Sequence, residues 1–419
     1  MHTLPLRIKK ESINDYLQFL WNRFELEIGT MGCQQSHSNT QDPQIYCYTI
    51  RWCSDATNFS ATIDIYHHTH KGITSIDLDV VDKVTHLFDE ESFNNIKKII
   101  IESSKENFEQ LYKKRLFRVP VNCSVELDGD YSFKESEIFI KRNAQNCYVY
   151  FYLNYISKHQ LRPLIPETAK NIASALTVLT QNLFTFDVQN EVVEYEVGNI
   201  SDLILTKKGN YSENLSYADF DELIIDNKLV FPKYSDIVFK KIFSGKAHIQ
   251  SSRRFHEAIL MRGGSSYPST ISSLTNGYTT QYELLAYVSS IEALLDSSQT
   301  VEKVECPECG HESEVKEYKI SKKFRDFVSK YSNQAPTVIK AMKQLYLDRS
   351  KFVHTGINLH FHAVRGHGGP FTINGKEEKK EAPYYYYNIH EFTGYLIRSY
   401  YYQNLNITSA LNGTKIVDA

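Results

Sequence analysis

The stretch LYLDRSKFVHTG, residues 345 to 356, sets a permanent cation on what otherwise reads as the apolar stripe of a helix. Counted from Pro336, apolar residues fall at Val338, Ile339, Met342, Leu345, Tyr346, Phe352 and Val353, in helical steps with a single gap. Arg349 fills that gap and must face a packing partner. A guanidinium keeps its proton, so at a packed face it needs an anion or several acceptors. The segment Thr280 to Asp296 offers one. Its stripe runs Leu284, Leu285, Val288, Ile291, Leu294 and Leu295, and Glu292 lies beside it. One reading of Arg349 is therefore a salt bridge to Glu292 that braces two packed helices.

A second reading comes from His354. It lies about 140° round an ideal helix from Arg349, so the two side chains diverge within one chain and converge more readily at a helix end or across a symmetric dimer. Thr355 and Gly356 supply the end, glycine being the favoured residue just past a helix terminus. A cation is well placed at the negative pole found there. Arginine beside histidine is the pairing needed to hold a phosphate and protonate a leaving oxygen.

Outward from this stretch, four segments have helical periodicity: Ser251 to Met261, Thr280 to Asp296, Ser321 to Tyr331 and Pro336 to Val353, with a fifth over Asn388 to Gln403. The first part of the chain differs. YCYTIRWC (46–53), ATIDIYHH (61–68) and ITSIDLDV (73–80) alternate apolar and polar residues with β-branched and aromatic enrichment. CSVELDGDYSFKESEIFIKR (123–142) and CYVYFYLNYI (147–156) repeat that character after a helical stretch from Glu91 to Phe117. The expected architecture is an α+β domain over residues 1–244 followed by an all-α helical bundle over 245–419, the latter interrupted by a knuckle over 300–315.

At 419 residues the chain is long enough for two cores. A net charge of −3 gives no global attraction to nucleic acid or anionic membrane, so any nucleic-acid role must rest on a local patch. No apolar run approaches the roughly 18 residues that span a bilayer, and MHTLPLRIKKESIND lacks a signal-peptide core. The expectation is a cytoplasmic protein with no membrane partner. Five of the seven cysteines are scattered without framework spacing, which argues against a disulfide scaffold.

The segment RSKFVH, Arg349 to His354, together with YELLAYVSSIEALLD on an earlier helix, resembles the HEPN superfamily, and within it the ApeA-like branch of bacterial anti-phage abortive-infection proteins. The resemblance covers Ser251 to Leu405. It implies an endoribonuclease with Arg349 and His354 as the catalytic pair, Ser350 as the polar residue after the arginine and Glu292 in support. It also implies a homodimer or higher homo-oligomer with both motifs facing one cleft, an RNA substrate with tRNA among the candidates, and no metal for catalysis. A phage-derived trigger is the candidate signal, with the first domain as sensor or restraint. In the branch controlled by a nucleotidyltransferase, a tyrosine follows two residues after the histidine; Gly356 stands there instead, which argues against that control.

VECPECGHE, residues 304 to 312, is a Cys-x-x-Cys knuckle whose Cys306 and Cys309, completed by His311 or by a histidine of HFHAVRGHGG (360–369), would hold a structural zinc. A metal-free knuckle is the equal alternative. YKISKKFRDFVSKYS (318–332) is net basic and is either an RNA-facing patch or a solvated face. The tyrosines at 384–387 either stack bases or pack in a core. The expected function is metal-independent RNA cleavage. Its rivals are a catalytically silent HEPN scaffold and a zinc-dependent nucleic-acid-binding regulator.

Overall fold

Period-two burial is clearest in the fourth strand of the chain, Phe59–His68, where Phe59, Ala61, Ile63 and Ile65 are buried and the residues between them are half-buried. We analysed a computed structural model, which describes residues 2–29, 32–39, 42, 44–53, 57–143, 146–186, 192–195, 207–215, 223–264, 272–295, 300–305, 312–317, 319–332, 336–356 and 389–407. By internal contacts the chain forms two compact units. One is Met1–Arg115 with Leu153–Pro166; the other is Leu116–Tyr152 with Glu167–Ala419. The units are thus interleaved in sequence, and neither begins near residue 245.

The first unit holds strands β1 (His2–Ile8), β2 (Gly32–Asn39), β3 (Ile45–Cys53), β4 (Phe59–His68) and β5 (Gly72–Asp82), in the order β1-β5-β4-β3-β2 with every neighbour antiparallel. Helices α1 (Ile13–Glu27) and α2 (Glu90–Ser103) cover one face. Tyr16, Leu20 and Phe24 of α1 and Phe93, Ile96, Ile99 and Ile100 of α2 repeat at helical spacing and meet the inward residues of the sheet. The Asp89 carboxylate accepts from the Ser92 backbone N–H at 3.0 Å and so caps α2.

Helix α2 ends at Ser103, earlier than the expected stretch to Phe117. The remainder enters β6 (Lys113–Cys123), which joins β7 (Tyr131–Phe133), β8 (Ile138–Asn143), β9 (Asn146–Tyr155), β10 (Phe184–Phe186) and β11 (Val193–Tyr195) in a second sheet. LYKKRLF fits either period, and its strand neighbours decide the outcome. Between β9 and β10 runs α3 (Lys158–Thr180), with Pro163 and Pro166 inside it. The division between units falls at Pro166, where the missing N–H removes a rung of the helical ladder.

The expected all-α bundle over residues 245–419 is not what forms. Helices α4 (Ser235–Phe243), α5 (Lys246–Gly264), α6 (Ser272–Glu292), α7 (Ile320–Tyr331), α8 (Pro336–Thr355) and α9 (Ile389–Asn404) share their unit with most of the second sheet and with α3. An antiparallel pair of strands, Thr300–Glu305 and Glu312–Glu317, also stands between α6 and α7. The physical reason is that α3 is buried at every position from Ile172 to Thr180, so it needs partners on more than one side. Helix α9 is likewise buried nearly all round and packs against α5, α6, α7 and α8. The protein is α+β throughout. Among the described residues, no helix is long and apolar enough to cross a membrane.

Candidate functional site

Helix α8 positions the arginine. Its Met342 and Leu345 are fully buried and Tyr346 packs on Phe324 of α7, with ring centroids 4.7 Å apart. These contacts fix the face on which Arg349 stands. Its Nη2 donates to Glu292 Oε2 at 3.1 Å, with the two side chains 23% and 19% exposed. The α6–α8 ion pair anticipated from the stripes is therefore present. Burial pushes the Glu292 carboxyl above its ordinary range, and the nearby guanidinium offsets only part of that.

The arginine is not fully used by this pair. Its Nε is buried and has no hydrogen-bond partner among the described residues. That nitrogen is closed to solvent, so an outside acceptor would have to approach the guanidinium at its η nitrogens.

His354 sits in the last turn of α8 and is exposed, as are Val353 and Thr355; Ser350 is half-buried. The turn closes at Gly356, whose φ of +65° is left-handed and whose N–H bonds to the Phe352 carbonyl at 2.9 Å. Val353 was expected on the packed stripe. It is 51% exposed, in a last turn where Val353 to Gly356 are all exposed. Phe352 meets Tyr282 edge-on at 6.4 Å, and with the Arg349–Glu292 pair this sets α6 and α8 antiparallel. The last turn of α8 thus lies towards the start of α6.

One titratable group there escaped the sequence reading. Glu283, beside Tyr282, lies 3.8 Å from Arg262 of α5, and burial raises its carboxyl to about 7. Its placement four residues before Tyr287 on the buried face is the signal that would have found it. A folded-state value above the ordinary 4.5 means that the native protein binds the extra proton between those limits. Stability should fall as pH rises through that window, by roughly 3 kcal/mol at full effect. Urea midpoints measured between pH 4.5 and 8 check this, and Glu283→Gln should flatten the profile.

Cys306, Cys309 and His311 lie outside the described residues, as do residues 360–369 and 384–387. The strands Thr300–Glu305 and Glu312–Glu317 lead into and out of the knuckle in register. Among the described residues, no group of three or more His, Cys, Asp and Glu is gathered in a way that would hold a metal. Helix α7 turns Phe324, Phe327, Val328 and Tyr331 inward; Lys322 and Lys330 are exposed and Lys323 is half-buried.

No protein-family profile, curated protein or solved structure matches the chain. The HEPN resemblance accordingly rests on the segment from Arg349 to His354 and on its partner helix. What geometry adds is a half-buried arginine, oriented by a carboxylate, on the same helix as an exposed histidine at its terminus.

Proposed function

We propose that this chain is a metal-independent endoribonuclease, with Arg349 and His354 as its reacting groups. The ribose 2′-hydroxyl attacks the adjacent phosphorus and gives up its proton to solvent. The bond to the 5′-oxygen breaks as His354 protonates that oxygen, while Arg349 balances the charge that builds on the phosphoryl oxygens. The products are a 2′,3′-cyclic phosphate and a 5′-hydroxyl. Supporting this reading is the placement of Arg349 and His354 on the last two turns of one helix, the arginine half-buried and oriented by Glu292 and the histidine exposed.

The proposal extends to a cytoplasmic homodimer that brings two such motifs to one cleft and acts on RNA, tRNA among the candidates, in anti-phage abortive infection under a phage-derived trigger. A second reading has its own observation: the 3.1 Å bond from Arg349 to Glu292 is what a catalytically silent scaffold would use to brace α6 against α8. Sequencing RNA ends after induced expression separates the two. Cyclic phosphate ends that appear with the native chain and vanish with His354→Ala support cleavage; unchanged RNA at matched soluble levels supports the scaffold.

A structural zinc on Cys306 and Cys309 belongs to the proposal as a stabilising element, not as a reactant. Cleavage should therefore persist at an undiminished rate in EDTA, measured on a labelled RNA. Loss of cleavage with retained folding would place a metal in the reaction.

A further inference from the structure

The first unit contains a cavity of about 660 Å³ between α1 and strands β3 to β5, within the size range of small-molecule sites. Its floor is made by Leu20, Ile50, Ile65 and Ile73, all nearly inaccessible to solvent. Trp21 and Tyr48, both half-buried, form aromatic walls, and Tyr46 extends one of them to the surface. A flat apolar body would find area on both sides there at low entropic cost, since these rings have few rotatable bonds.

The mouth is polar. His159 and Arg162, at the start of α3, and His67 of β4 line it. Their roles differ. His159 Nε2 is engaged 2.7 Å from a Glu25 carboxylate oxygen. Burial, with Lys10 and His68 nearby, lowers the pKa of His67, so at neutral pH it offers an uncharged ring. Arg162 is exposed and, among the described residues, makes no ion pair or hydrogen bond. A cation with all its donors open, at the rim of an aromatic-walled cavity, selects an anionic group on an otherwise apolar molecule.

We propose that this cavity is a binding site for a small molecule with a flat aromatic body and a single anionic group, the body resting between Trp21 and Tyr48 and the anion at Arg162. The inference is independent of the ribonuclease reading, since it uses only residues of the first unit.

Two fluorescent probes test it on the full chain: 8-anilinonaphthalene-1-sulfonate, which has the proposed chemistry, and N-phenyl-1-naphthylamine, which has the body without the anion. The expected result is one sulfonate site per chain, excited by energy transfer from tryptophan. Leu17→Trp, which fills the cavity from α1, should abolish binding of both probes. Arg162→Ala should weaken the sulfonate about tenfold and leave the neutral probe unchanged. Sulfonate binding unaltered by Leu17→Trp in a folded variant would overturn the site. Equal weakening of both probes by Arg162→Ala would overturn the anion selectivity. Because Arg162 is exposed, its variant decides the matter even where Leu17→Trp does not fold.

Discussion

His354→Ala is expected to lower RNA cleavage by about 10²–10⁴-fold with no measurable change in melting temperature. The loss follows from removing the proton donor to the leaving oxygen, and the unchanged stability from the exposure of His354 at the end of α8. Arg349→Ala should cost about 10²–10³-fold in cleavage, the scale of one lost donor to a developing oxyanion. It should also destabilise the chain by about 1–3 kcal/mol, since it strands the half-buried Glu292. The two effects can be separated. Arg349→Ala combined with Glu292→Gln should recover much of the stability and none of the activity, read by urea denaturation beside a single-turnover assay. An Arg349→Ala protein that cleaves normally per folded molecule would make the arginine a brace.

The largest effect on folding is expected at Arg398, which is 1% exposed in the middle of α9. Its Nη1 donates to Gln181 Oε1 at 2.9 Å and to the Val178 carbonyl at 3.3 Å, fastening α9 to the end of α3. Arg398→Ala removes those donors and leaves a void, so a loss of about 3–5 kcal/mol is expected. Gly394, one turn earlier, allows the approach: a Cβ there would stand 2.9 Å from the same Nη1 and Oε1 and 3.0 Å from Phe255. Gly394→Ala should therefore destabilise by about 1–3 kcal/mol through overpacking. Shifts in urea midpoint with unchanged slope would check both.

Much of this architecture is legible from periodicity, because a buried stripe leaves its spacing in the sequence. α7, α8 and α9 begin and end within two residues of the expected segments, and the stripes of α6 and α8 were enough to pair Glu292 with Arg349. Periodicity failed where two periods fit the same residues. Leu116 and Phe117 continue a helical pattern, yet they belong to β6, whose neighbours are distant in sequence. α3 went unassigned altogether: it carries Pro163 and Pro166 within it and is held by packing on its later turns. The all-α expectation fell for a related reason: local pattern does not reveal that α3 and the second sheet join the later helices in one core. At the site, residue types were readable but depth was not. Glu283 stands at helical spacing from Tyr287, but how far it is buried shows only with α5 beside it.

The pairing of Arg349 with Glu292 also bears on how a polyanion would approach. A guanidinium 3.1 Å from a carboxylate is locally balanced, so its contact with an arriving polyanion brings few of the gains that come from displacing the cations condensed on the phosphates. The chain as a whole carries −3, which offers no long-range pull to replace them. Capture at this helix should then respond only weakly to ionic strength, and the speed of encounter would be governed by collision and fit instead of by attraction across the solvent.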